Sequence, residues 1–232
     1  MSTIDLNLQA VHRSIAAAAT GAGRAAGAVT LLAVSKTFDA QAVLEAVNAG
    51  QRAFGENYLQ EALDKIGELA ALSPLELEWH FIGPIQSNKT RPIAEHFDWV
   101  HTVERIKIAQ RLAEQRPEAM APLNICLQVN ISGEASKSGA APEELPALAR
   151  AVAALPRLRL RGLMAIPAPS DDVGEQRAAF ARLRALYEQL RADGITLDTL
   201  SMGMSSDLGA AIAEGATIVR VGSAIFGART YA

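Results

Sequence analysis

The chain of 232 residues has a single cysteine, Cys126, so no disulfide can form within it and a cysteine-based metal site would lack partners. Its setting in the apolar run "LNICLQV" reads as a buried core thiol. His12, His96 and His101 are scattered along the sequence, which argues against a metal centre. An excess of either charge is also missing. The 22 Lys and Arg against 25 Asp and Glu leave a formal net charge of −3, which gives no overall attraction to nucleic acid or to an anionic membrane surface. Any anion site must therefore be local. No apolar run approaches the ~20 residues of a membrane span. The N-terminal "MSTIDLNLQAVHRSIAAAA" places Asp5 before any basic residue and reads as an amphipathic helix rather than a signal peptide. The expected location is the reducing cytoplasm.

What is present is an alternation. Half the residues are apolar and 20% are charged, enough for a substantial core. Strand-like runs fall at Val29 to Ser35, Arg52 to Gly55, Glu78 to Gly83, Trp99 to Val103, Leu123 to Ile131, Leu158 to Ile166, Thr196 to Met202 and Thr217 to Gly222. Helical patterns lie between them, at Asp39 to Ala49, Tyr58 to Leu72, Ser87 to His96, Arg105 to Gln115, Pro142 to Ala154, Glu175 to Ala192 and Ser206 to Glu214. Eight such strands with no interior linker predict an α/β fold, a single (β/α)8 TIM barrel over residues 1–232 with an extra N-terminal helix. The length is a little under the usual ~250 residues, in keeping with brief loops.

Chemistry in such a barrel sits at the C-terminal ends of the strands. That rim collects Lys36, "GENY", "GPIQSNK", "NISGEASKSG", "MGMSSD" and "RVGS". A phosphate in this architecture is commonly held by the loops after strands seven and eight. Here "GMSSDLGAAI" offers Ser205 and Ser206, and "VGSAIFG" offers Gly222 and Ser223, at two expected helix starts. Either loop taken alone reads better as Ser206 or Ser223 capping its helix. Both loops at the expected place favour an anion. Arg220 interrupts the buried run "TIVRVG", where a guanidinium needs an acceptor, through an ion pair on the barrel floor or a ligand contact. Lys36 ends the apolar run "LLAVSK"; an amine there either snorkels to the rim or condenses with an aldehyde, a step helped by desolvation. An aldehyde, a phosphate and a ring nitrogen together point to pyridoxal 5′-phosphate (PLP).

From "LLAVSK" through "FGENY", "WHFIGPIQSNK", "VNISGEASKSG", "RGLMAI" and "LSMGMSSDLGAAI" to "VRVGSAIFGAR", the chain resembles the pyridoxal phosphate homeostasis protein family, also called the YggS/PROSC family. The resemblance covers most of the chain after residue 30. It implies a barrel similar to the N-terminal domain of alanine racemase, with PLP held as a Schiff base on Lys36. It also implies that Arg220 faces the pyridine nitrogen, that Ser206, Gly222 and Ser223 hold the phosphate, and that Asn57 and Met202 approach the cofactor. The implied role is to bind, carry or buffer PLP within vitamin B6 homeostasis, with PLP-requiring apoenzymes as partners and no established turnover. An amino-acid racemase or lyase is the alternative, and a Schiff-base enzyme acting on a sugar phosphate is a third reading that leaves Arg220 unexplained. A two-base racemase needs a second acid or base and an extra β domain, and the chain ends at Ala232 directly after "FGARTY". Tyr58 could supply such a base but reads rather as packing over the second helix, His80 as a hydrogen-bonded core histidine or a lining of the site, and Lys137 as a solvated loop lysine or a second PLP contact. With no second domain, the expected state is a monomer.

Overall fold

The structure is a computed structural model that describes residues 2–72, 75–133 and 138–228. Its strands are β1 (Thr30–Val34), β2 (Ala53–Glu56), β3 (Glu78–Phe81), β4 (Trp99–Val103), β5 (Leu123–Gln128), β6 (Leu158–Met164), β7 (Thr199–Ser201) and β8 (Ile218–Val221). They pair in parallel, in chain order, and β8 returns to β1, so the barrel is closed. The helices are α1 (Thr3–Gly21), α2 (Ala40–Asn48), α3 (Leu59–Leu72), α4 (Thr90–His96), α5 (Ile106–Gln115), α6 (Leu145–Ala153), α7 (Val173–Ala192), α8 (Leu208–Ala213) and α9 (Ser223–Phe226). The expected (β/α)8 TIM barrel with a leading helix is the fold that forms.

Strands covered on both faces need apolar residues at consecutive positions, and β2 and β4 are buried throughout. Successive side chains still diverge. Leu31, Ala33, Phe54, Phe81 and Val219 join the large core under the helices. Leu32, Ala53, Trp99, Cys126, Met164 and Ile218 form a separate, smaller plug inside the barrel. Cys126 is buried there, and burial pushes its thiol up to about 12, so it is an inert core group.

Helix α1 buries Leu8, Val11, Ile15 and Ala19, the one-face spacing of an amphipathic helix. It lies against the last two helices, where Asn7 Nδ2 donates to the Ile225 carbonyl at 2.9 Å and Arg24 Nη1 to the Ile212 carbonyl at 2.8 Å. Asp39 and Asp172 cap α2 and α7, accepting from the Ala42 and Glu175 amides at 2.9 and 2.8 Å.

Most element ends shift by one to three residues from the sequence expectation, and for three of them the hydrogen bonds show why. The fifth strand stops at Gln128 rather than Ile131, because the Gln128 carbonyl accepts from Ala140 N–H and the chain next pairs with the segment around Ala140. The eighth helix begins at Leu208 rather than Ser206, because Met204–Asp207 closes a turn in which Asp207 Oδ1 accepts the Met204 amide at 2.6 Å. The sixth helix begins at Leu145 rather than Pro142, after a turn closed by Leu145 N–H on the Pro142 carbonyl.

Candidate functional site at the C-terminal rim

Lys36 stands two residues past the end of β1 and is half-buried. Both of its neighbours are anchored. Ser35 N–H donates to the Gly55 carbonyl at 3.1 Å, Ser35 Oγ donates to Glu56 Oε1 at 2.6 Å, and the Ser35 carbonyl accepts from Lys65 Nζ at 2.9 Å. On the other side Thr37 N–H donates to Glu61 Oε1 at 2.6 Å, and Thr37 has φ of 69°, the left-handed region that a β-branched residue rarely adopts. Lys65 ties the two acids together, at 2.6 Å from Glu56 and 3.1 Å from Glu61. Its side chain is 3% exposed and that of Glu56 is 0% exposed. Burial pushes the Glu56 carboxyl up, against the pull of Lys65 and Ser35, and Glu56 Oε2 finds no partner among the described residues. This clamp escaped the sequence reading. The acid directly after a strand in "FGEN" and the i,i+4 pair Glu61 and Lys65 on the next helix were its traces.

Arg220 is buried at the end of β8 and bonds to neutral groups only. Nη1 donates to the Ser201 carbonyl at 2.7 Å and to Ser201 Oγ at 2.9 Å, and Nη2 donates to the Ala165 carbonyl at 3.1 Å. Burial lowers its pKa to about 10, with Asp207 and Cys126 acting the other way. None of the ion pairs seen among the described residues includes it, so the floor-closing ion pair is not its role there. Its backbone N–H donates to the Gly203 carbonyl at 2.9 Å, which fastens the loop after β7 to β8.

The remaining expected residues distribute as follows. Gly222 is the N-cap of α9, and a Cβ there would meet the Val34 carbonyl at 3.1 Å, so glycine lets the end of β8 lie against the end of β1 beside Lys36. Ser223 opens α9 and is exposed; Ser205 and Ser206 are exposed in the Met204–Asp207 turn. Asn57 is half-buried just past β2, and its Oδ1 is a buried acceptor with no partner among the described residues, a group that costs about 1–3 kcal/mol when left unsatisfied. The lack of a side chain at Gly83 lets the Asn57 backbone lie close: a Cβ there would stand 2.1 Å from the Asn57 carbonyl oxygen. Met202 is fully buried in the core under the helices, because Ser201 takes the inward position, so its side chain turns away from the barrel interior. Beside Asn57 opens a cavity of about 230 Å³ bounded by Ile82, Ile85, Thr102, Glu104 and Gln128. Tyr58 is 55% exposed rather than packed over a helix. His80 is a hydrogen-bonded core histidine, and His101, which looked scattered in sequence, lies 2.8 Å from it. Among the described residues no group of three or more potential ligands could hold a metal ion. Lys137 lies outside the described residues.

A barrel of this order with its polar groups on one rim defines a class, and comparison with known proteins agrees. The family model described as alanine racemase, N-terminal domain, matches residues 6–230, and the chain belongs to that family. Within it, the chain belongs with the pyridoxal phosphate homeostasis proteins. It is 67% identical over 231 residues to the one of Pseudomonas aeruginosa, covering 100% of this chain and 98% of that one. The structure of PipY from Synechococcus elongatus with PLP bound superposes with a TM-score of 0.79 at 43% identity, covering 86% of this chain and 93% of that one. Alanine racemase from Corynebacterium glutamicum shares the fold, with a TM-score of 0.66 at 19% identity over 94% of this chain and 60% of that one.

Proposed function

We propose that residues 1–232 form one PLP-binding domain that holds the cofactor as a Schiff base on Lys36 and serves intracellular PLP homeostasis as a carrier or regulator. The observation that carries this reading is Lys36 itself, an amine at the barrel mouth whose flanking residues are fixed by a buried ion pair. The surrounding groups fit PLP. Asn57 Oδ1 is an acceptor awaiting a donor, Gly222 leaves backbone room at the end of β8, and Ser205, Ser206 and Ser223 put hydroxyls on the same rim. Bound PLP supplies an aldehyde, an anionic phosphate and an electron-withdrawing ring. PLP bound in PipY, at 43% identity, supports the same assignment.

Holding rather than turnover is favoured by Arg220. A guanidinium is a donor only, so facing a ring nitrogen it accepts no proton from it and keeps that nitrogen unprotonated, which weakens the ring as an electron sink. The hydroxyl considered as a second base, Tyr58, is more than half exposed. PLP-requiring apoenzymes are the proposed recipients, and a cytoplasmic monomer is the proposed state. No helix among the described residues is long and apolar enough to cross a membrane.

Titration with PLP followed by visible absorbance tests the reading. A band near ~420 nm that is lost in Lys36→Ala is the expected result for an imine on this amine. A colourless protein whose Lys36→Ala variant binds PLP equally well overturns it. Sustained α-proton exchange of amino acids in deuterated water, abolished by Lys36→Ala, would assign catalysis instead.

A further inference from the structure

The interior of the barrel contains a file of hydrogen bonds that holding PLP does not by itself require. Arg220 Nη1 donates to Ser201 Oγ at 2.9 Å, Ser201 Oγ lies 2.7 Å from His101 Nδ1, His101 Nε2 lies 2.8 Å from His80 Nδ1, and His80 Nε2 lies 2.8 Å from Glu78 Oε1. Ser201, His80, His101 and Arg220 are all buried, whereas the Glu78 side chain, at the first residue of β3, is 49% exposed. The file therefore runs through the barrel from the C-terminal rim to solvent at the N-terminal rim. His80 is stacked on Trp99, ring centroids 5.3 Å apart and planes 8° from parallel, so its ring cannot swing out of line without losing that contact.

The chemistry of the end groups fixes the direction of every hydrogen in it. An ionised Glu78 only accepts, so a neutral His80 donates from Nε2 and accepts at Nδ1. His101 must then donate from Nε2, which leaves its Nδ1 to accept the Ser201 hydrogen, while Ser201 Oγ accepts from the donor-only guanidinium of Arg220. Burial holds both rings below the usual histidine value. The His80 bond holds the Glu78 carboxyl below the usual carboxylate range. The charged groups facing the file are Arg161 at Glu78, Glu78 and Asp98 at His80, Arg220 at His101, and Asp207 at Arg220.

We propose that Ser201, His101, His80 and Glu78 form a one-directional relay that keeps Arg220 a fixed donor at the C-terminal rim and lets the charge of Glu78, on the opposite rim, tune the ring nitrogen that Arg220 faces. These are positioning residues, acting through Arg220. The second half of the proposal rests on the PLP reading above, whereas the relay itself does not.

The test has two arms. In the first, histidine nitrogen NMR is recorded on the protein without PLP. The expected spectrum has His80 and His101 both neutral, with Nε2 protonated and Nδ1 accepting; the His101 signals shift in Glu78→Gln, which keeps an acceptor for His80 but removes the charge. A proton on His101 Nδ1, or His101 signals indifferent to Glu78→Gln, overturns the relay whether or not PLP binds. In the second arm the PLP-loaded parent and Glu78→Gln are compared by visible absorbance. A displaced band maximum with unchanged stoichiometry supports tuning, and an identical band, with the first arm positive, refutes it. A protein that takes up no PLP refutes the PLP reading, and with it the tuning, while the first arm still decides the relay.

Discussion

Replacing Lys65 by methionine should be among the most destabilising single changes on this rim. All three hydrogens of the ammonium are used, on the Ser35 carbonyl and on Glu56 and Glu61. Methionine fills the space and leaves Glu56 as a carboxylate with 0% exposure, one oxygen bonded only to Ser35 Oγ and the other already without a partner among the described residues. Breaking a buried pair by removing one member costs about 3–5 kcal/mol. At a urea slope of about 2 kcal/mol per M, the unfolding midpoint should fall by roughly 2 M. The double variant Lys65→Met with Glu56→Gln removes the stranded charge and should recover at least half of the loss. The sign of the pH effect follows from the same burial. The Glu56 carboxyl is raised above 4.5 in the folded state, so the folded chain binds the extra proton and this group's cost is relieved as pH falls through the folded value towards 4.5. The gap between parent and Lys65→Met should therefore narrow on acidification. A loss below about 1 kcal/mol, or a double variant no more stable than the single, would refute the reasoning.

Two further outcomes are expected. Gly83→Ala places a Cβ 2.1 Å from the Asn57 carbonyl oxygen, a contact that no rotamer relieves, so the segment after β2 must move; PLP affinity, measured by absorbance titration, should fall by about tenfold or more, a change of ~1.4 kcal/mol. His80 and His101 are kept below 6.5 by burial, so the unfolded chain takes up protons first; the stability that these rings contribute above pH 6.5 is lost as pH falls below it, by about 1.4 kcal/mol per unit for each ring. Urea unfolding between pH 7 and 5.5 reads this as a falling midpoint, and a flat profile would contradict it.

Much of the architecture was legible because doubly covered strands write themselves as apolar runs, and eight of them alternating with helices close in only a few ways. Lys36 and Arg220 were legible for the complementary reason, as charges standing where such a run should continue. The clamp was not. Glu56, Glu61 and Lys65 look like ordinary helix and loop charges until β2 and α3 bring them under Ser35 and Thr37. The histidine file was hidden likewise: His80 and His101 are 21 residues apart and meet only because adjacent strands turn both side chains into the barrel. The start of α8 was misplaced because an aspartate, rather than the preceding serine, closes the turn. Strand parity could have placed Met202, since an inward Ser201 obliges its neighbour to face the helices.

The central claim is that the amine at the end of β1 holds PLP covalently. Borohydride reduction of the PLP-loaded protein, followed by peptide mapping, tests it most directly. The account predicts one reduced pyridoxyl group per chain, on Lys36, and none in Lys36→Ala; a label on another lysine, or an undiminished label in Lys36→Ala, would contradict it.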